Sequence, residues 1–246
     1  MELQNKVALI TGGRRIGATL AADLARQGVD VGLSCHRSAD AMEAAAVQVR
    51  EIGRRALVSK ANIAEPTEVR QLVADTVRAF GRLDILINMA SVYRQCSFDN
   101  LTTDEWNGPM RVDLAGAYEC ARAVVPHMRQ VGGGHIICFS DWTAAGGRPR
   151  YKGYVPYYVA KRAVMGLTEA LALELATDNI LVNAVAPGPI IPPPELTSPE
   201  VQEVERITPL GRWGGAGAIS EVVIGLLKTE FVTGETIRVD GGRHIR

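Results

Sequence analysis

A chain of 246 residues, 47% of them hydrophobic, is long enough to bury a full core without disulfide or metal staples. Lys plus Arg equals Asp plus Glu, 27 against 27, with the signs interspersed, which excludes a basic nucleic-acid-binding face and a charged disordered tail. The four cysteines (Cys35, Cys96, Cys120, Cys138) show neither a C-x-x-C nor a metal-ligand spacing, so reduced, mostly buried thiols and no metal are expected.

The opening residues MELQNKVALI lack a basic leader with a cleavage site. No run reaches the roughly 18 apolar residues of a membrane span. A cytoplasmic location and no membrane partner are expected.

Short apolar runs then alternate with helix-length stretches. Lys6–Thr11 reads as a strand buried on both faces. Ile16–Gln27 has apolar residues at helical spacing and stops at Gly28. Asp30–Cys35 is a second strand, Asp40–Ile52 a second helix, Arg55–Lys60 a third strand, and the helix opened by Pro66 runs to Phe80. Asp84–Asn88 is the fourth strand, followed by helical patterns over Thr103–Val112 and Ala115–Gln130, a turn at Gly132–Gly134 and a fifth strand at His135–Ser140. The longest amphipathic stretch is Tyr157–Ala176, and Ile180–Ala186 and Thr236–Val239 read as the last strands. The alternation predicts a single α/β domain spanning residues 1–246: a doubly wound parallel sheet with helices on both faces. Pro187–Pro199 breaks the rhythm with six prolines in thirteen residues. It follows a strand's carboxyl end, where such sheets bind ligands, and reads as a lid or substrate loop, or else as a rigid surface connection.

Thr11-Gly12-Gly13-Arg14-Arg15-Ile16-Gly17 sits between the first strand and the first helix, the context in which glycines let backbone amides approach a pyrophosphate. An NAD site usually places an acid about 20 residues later to hold the ribose 2′-hydroxyl. Here the second strand ends Cys35-His36-Arg37-Ser38, with no acid. Arg37, with Arg14 or Arg15, would clasp a 2′-phosphate, and His36 and Ser38 would add hydrogen bonds, so NADP(H) is the expected cofactor.

Tyr157 and Lys161 stand four apart on one predicted helix and so share a face. Chance gives such a Tyr/Lys pair about 0.12 times in a chain of this composition. A phenol titrates near pH 10, and an adjacent ammonium lowers that value, which would make Tyr157 a usable acid or base.

With Thr11-Gly12 and Gly17, Asp84, Asn88-Met89-Ala90-Ser91, Ser140, Tyr157 with Lys161, Asn183, Pro187-Gly188, Thr233-Gly234 and Asp240-Gly241-Gly242 in this order, the chain resembles the short-chain dehydrogenase/reductases over essentially its whole length. That resemblance implies a seven-stranded parallel Rossmann-type sheet, Tyr157 as general acid, and Lys161 on the nicotinamide ribose. It implies dinucleotide contacts from Gly12, Arg14, Arg15, Ile16, Gly17, His36, Arg37, Ser38, Asn62, Ile63, Asn88, Ala90, Ser91, Tyr157, Lys161, Pro187, Gly188 and Ile190. It also implies a homotetramer or homodimer and a small-molecule substrate.

Within the family, Arg14-Arg15-Ile16-Gly17, His36-Arg37-Ser38 and Asp141 after Ser140 are similar to the pteridine reductases. That likeness gives Asp141 a share in protonating a pterin ring, the alternative being a turn or helix cap. It sets Tyr93 over the ring with Ser91 beside it, the alternative being packing of Tyr93 with Phe98. Three features depart from the family pattern. The phosphate loop is one residue short, Asp113 stands where an asparagine normally holds water, and Gly146–Tyr154 is an insertion. Ser140, Asp141, Asp113, Tyr157 and Lys161 are the expected catalytic set. A pterin or folate-type ring is the first substrate expectation. A 3-oxoacyl thioester or other small carbonyl is the second, and a catalytically idle NADP sensor is the third.

Overall fold

The computed structural model describes residues 1–37 and 39–246. Seven parallel strands form one sheet: β1 (Val7–Gly12), β2 (Asp30–Cys35), β3 (Ala56–Lys60), β4 (Ile85–Met89), β5 (Gly134–Phe139), β6 (Ile180–Pro187) and β7 (Thr236–Val239), in the order β3-β2-β1-β4-β5-β6-β7. Strands β2, β4 and β5 are buried along their whole length, which is why they read as near-continuous apolar runs.

Side chains alternate between the two faces, and each face has its own helices. Ala8, Ile10, Ile85, Ile87, Ile137 and Phe139 pack beneath α1 (Gly17–Arg26), α2 (Ala39–Glu51) and a late helix, Ala216–Lys228. Val7, Leu9, Leu86, Ile136 and Cys138 pack beneath α3 (Pro66–Phe80) and the helices that follow β4 and β5.

After β4 the sequence suggested two separate helices. The chain instead runs helically through α4 (Thr103–Pro109), a wide π turn at Met110–Ala115, and α5 (Gly116–Gln130). Thr102 and Glu105 cap α4 reciprocally, so its start was readable; the π turn has no sequence marker. After β5 come the short α6 (Trp142–Ala145) and the long α7 (Val155–Leu175), which begins two residues before Tyr157 with Pro156 in its first turn.

The Pro-rich stretch is less uniform than expected. Pro187 ends β6, and α8 (Ser198–Ile207) opens inside the stretch, with Pro199 in its first turn and Thr197 and Glu200 forming a capping box. The Ala216–Lys228 helix is α9. No helix among the described residues is long and apolar enough to cross a membrane.

Candidate active site

The order of the sheet reverses at β1, with β2 on one side and β4 on the other, and this switch point opens a crevice at the strands' carboxyl ends. Thr11 pairs with Asn88 and Gly12 with Met89. Gly12 has φ +68°, and a Cβ there would lie 2.6 Å from the Ala90 Cα, so only glycine lets the loop pass against β4. The shortened loop closes through Gly17 N–H donating to Gly13 O (2.6 Å) and still delivers the start of α1. Ile16 at its N-cap supplies no side-chain hydrogen bond, leaving first-turn amides for an anion. This cradle of backbone fits a dinucleotide pyrophosphate.

The two loop arginines separate. The Arg15 guanidinium donates from Nη2 to Ile191 O (2.9 Å) and Pro192 O (2.6 Å), tying the phosphate loop to the stretch after β6. Arg14 is exposed and makes no salt bridge among the described residues. His36 and Arg37 are exposed just beyond β2, while Ser38 lies outside the described residues. Lys60, paired in register with Cys35, brings a further exposed cation that the sequence reading missed.

Other expected cofactor residues surround the same edge. Asn62 Oδ1 accepts from Ala64 N–H (3.2 Å) and shapes the turn after β3. Ile63 is buried against Gly116. Asn88 Nδ2 donates to Ala117 O (3.3 Å), and Ala90 walls the loop. Gly188 N–H donates to Val239 O (2.9 Å); a Cβ there would lie 2.5 Å from Asp240 Cβ, so β6 and the turn after β7 meet backbone to backbone. Ile190 is buried, and its carbonyl accepts from Gly215 N–H (2.8 Å).

The residues expected to handle the proton lie beyond β5. Tyr157 donates its hydroxyl to Asp141 Oδ2 (3.0 Å), while Asp141 Oδ1 accepts from Thr143 N–H (2.8 Å) and Thr143 Oγ1 (2.6 Å), capping α6. The cap expected as one alternative is present, and the same carboxylate accepts from the tyrosine. Lys161 is buried, donates to Phe139 O (2.8 Å) and forms an ion pair with Asp113 Oδ1 (3.0 Å). Asp113, on the π turn, also accepts from Ser91 Oγ and from Val92 N–H (2.9 Å).

The buried hydroxyl of Ser140, the remaining member of the expected set, donates to Lys161 O (2.9 Å) and fixes α7 against β5. One expectation changes. The phenol of Tyr157 is not lowered but held well above its usual value, first by burial and then by the charges of Asp141 and Asp113. The ammonium meant to lower it shares its charge with Asp113.

Tyr93 stands at the mouth. Its ring stacks on Tyr154 (centroids 4.6 Å, 19° between planes) and meets Tyr157 edge-on (4.8 Å, 79°). Phe98, its alternative partner from sequence, is 77% exposed instead. The stack covers one face of Tyr93. Tyr154 was missed as a wall residue, although Tyr151, Tyr154 and Tyr157 recur at a three-residue spacing into α7.

The sequence profile described as enoyl-(acyl carrier protein) reductase matches residues 12–244. The 3-oxoacyl-[acyl-carrier-protein] reductase FabG of Staphylococcus epidermidis is 34% identical over 98% of this chain and all of its own length. The short-chain reductase protein NovJ of Streptomyces niveus is 35% identical over 98% of this chain and 94% of its own. A short-chain dehydrogenase/reductase from Serratia marcescens superposes with a TM-score of 0.91 at 32% identity, covering 99% of this chain and 100% of that one. A crevice at the switch point, a backbone cradle for a pyrophosphate and a half-buried tyrosine one helical turn from a buried lysine thus stand in a chain that matches such relatives end to end, and the protein is an oxidoreductase belonging to the short-chain dehydrogenase/reductase family.

Proposed function

We propose that the protein is an NADPH-dependent carbonyl reductase acting on a 3-oxoacyl thioester or a chemically similar ketone. The observation that carries the reading is the Tyr157 phenol, half-buried in the crevice, bonded to Asp141 and held in its protonated form, since reduction of a carbonyl needs a proton donor there. The relatives named as 3-oxoacyl-[acyl-carrier-protein] reductases support this substrate class ahead of the pterin ring that the sequence favoured. Arg14, Arg37 and Lys60 around the end of β2 support NADPH over NADH.

A bound nicotinamide supplies the hydride. Tyr157 gives its hydroxyl proton to the substrate oxygen, Asp141 orients that hydroxyl, and Lys161 keeps an N–H for the ribose beyond those used on Phe139 and Asp113. The stretch 187–199 serves as the substrate loop, held to the phosphate loop through Arg15. Exposed Val155, Val159 and Leu173 on α7, with Trp106 and Tyr118, support a homotetramer or homodimer.

One observation favours a second reading. Asp141 beside Tyr157 is a carboxyl–phenol pair of the kind that delivers protons to ring nitrogens, which suits a pterin. Turnover of acetoacetyl thioester and of dihydrobiopterin by the same protein with NADPH, each repeated with Tyr157→Phe, tests both. Thioester reduction that collapses in the variant supports the carbonyl reading; dihydrobiopterin reduction alone transfers the function to pterins; neither activity sinks both.

A further inference from the structure

Asp113 is a fully buried carboxylate with every contact directed at the site. Its Oδ1 meets Lys161 Nζ at 3.0 Å and accepts from Ser91 Oγ, and its Oδ2 accepts from Val92 N–H at 2.9 Å. The π turn that carries it thus joins α7 to the loop after β4. The residue after Val92 is Tyr93, whose ring touches Tyr157. Lys161 Nζ lies 5.7 Å from the centre of the Tyr157 ring, so the cation and the anion are both close enough to act on the phenol.

We infer that Asp113 is a positioning residue that cancels the charge of Lys161 at Tyr157 and, through Ser91 and Val92, locks the loop bearing Tyr93 to that neutral pair. The groups facing Tyr157 are Asp141 from the start of α6, Asp113 from the π turn, Lys161 from its own helix, and the rings of Tyr93 and Tyr154. With Lys161 paired, no uncompensated cation remains in that set, and burial keeps the phenol protonated. Removing the negative charge at 113 leaves a bare ammonium beside the ring, which stabilises the phenolate. Tyr157 should then lose its proton at a lower pH by about one to three units, the effect of one unpaired opposite charge at this range.

The inference rests on Tyr157 as the proton donor but on no particular substrate, and its test reads no turnover. The chain is labelled with [13Cζ]tyrosine, the Tyr157 resonance is assigned by its loss in Tyr157→Phe, and the protein is titrated from pH 7 to 11. Wild type should hold the neutral-phenol shift across most of this range. Asp113→Asn should titrate at least one unit lower, and the Asp113→Asn/Lys161→Gln double variant, which removes both charges together, should return towards wild type. Lys161→Met reads the pair from the other side, also if Asp113→Asn fails to fold: Tyr157 must then titrate no lower than in wild type. An unchanged titration in Asp113→Asn, or a lower one in Lys161→Met, overturns the assignment. Failure of the carbonyl-reductase reading leaves these titrations unaffected.

Discussion

The Tyr157 hydroxyl donates to Asp141 Oδ2 across 3.0 Å, and the opposite oxygen of that carboxylate caps α6 through Thr143. One side chain therefore fixes both the direction of the phenolic proton and the path of the chain after β5. Asparagine keeps an acceptor for the cap, whereas alanine removes it, so the two functions separate by substitution.

Asp141→Ala should lose about 1 kcal/mol of stability from the missing cap, and Asp141→Asn markedly less, as read by urea unfolding. On activity, Asp141→Asn should lower acetoacetyl-thioester reduction modestly, through the lost acceptor that orients the Tyr157 hydroxyl, and should impair any dihydrobiopterin reduction more severely. Equal losses of kcat/KM on both substrates would reduce Asp141 to its cap.

Arg37→Ala should lower the preference for NADPH over NADH by about 10- to 150-fold, equivalent to losing about 1.5–3 kcal/mol of charge-assisted hydrogen bonding. Arg15→Ala should change it far less, because that guanidinium is engaged with Ile191 and Pro192 carbonyls. Cofactor specificity measured as the ratio of kcat/KM values decides between them. A wild type indifferent to the 2′-phosphate would refute the assignment outright.

Local patterns carried most of this architecture. The buried strands stand out because near-continuous apolar runs such as Ile85–Met89 have few other uses, and Gly12, Tyr157 and Lys161 stand out because their spacing is short-range. What could not be read depends on contacts between distant segments. The Lys161–Asp113 pair joins residues 48 apart, and the sense of the Tyr157 perturbation followed from that partner rather than from the Y-x-x-x-K spacing. Arg15 reaches carbonyls about 176 residues away, so nothing near it in the sequence announces that it is occupied. The π turn hid for a different reason: its backbone bonds widen by one residue without requiring any particular side chain.

Stability should fall on mild acidification because of His135, on β5. Its ring is buried, its Nδ1 has no partner among the described residues, and burial depresses the imidazole from 6.5 to about 4. A depressed folded value means that the unfolded chain takes up the proton first. The contribution is complete above about pH 6.5 and is lost as pH falls towards 4. Between pH 7 and 5 this amounts to about 2 kcal/mol. Urea unfolding at both pH values should show that loss in wild type and a smaller one in His135→Val; identical pH sensitivity in the two proteins would exonerate His135.

The stack of Tyr93 on Tyr154 makes the last prediction, because it decides whether the aromatic wall holds substrate or merely closes the fold. One face of Tyr93 is covered by Tyr154 and its edge rests on Tyr157, so Tyr93 is a rigid wall beside the proton donor with more than half its surface open (59%). Deleting the ring should remove about 0.5–1.5 kcal/mol of aromatic contact from any planar substrate lying against it. Tyr93→Ala should therefore raise KM for such a substrate several-fold, and Tyr93→Phe, which keeps the ring, should stay near wild type. Tyr154→Ala should produce a weaker version of the same defect, since it frees Tyr93 without removing it. NADPH affinity, measured by fluorescence titration, should be nearly constant across the three, because the phosphate cradle lies at Gly12–Gly17 on the far side of β4 from the insertion. A purely structural wall would behave otherwise: Tyr93→Ala would lower the melting temperature and kcat while leaving KM where it was.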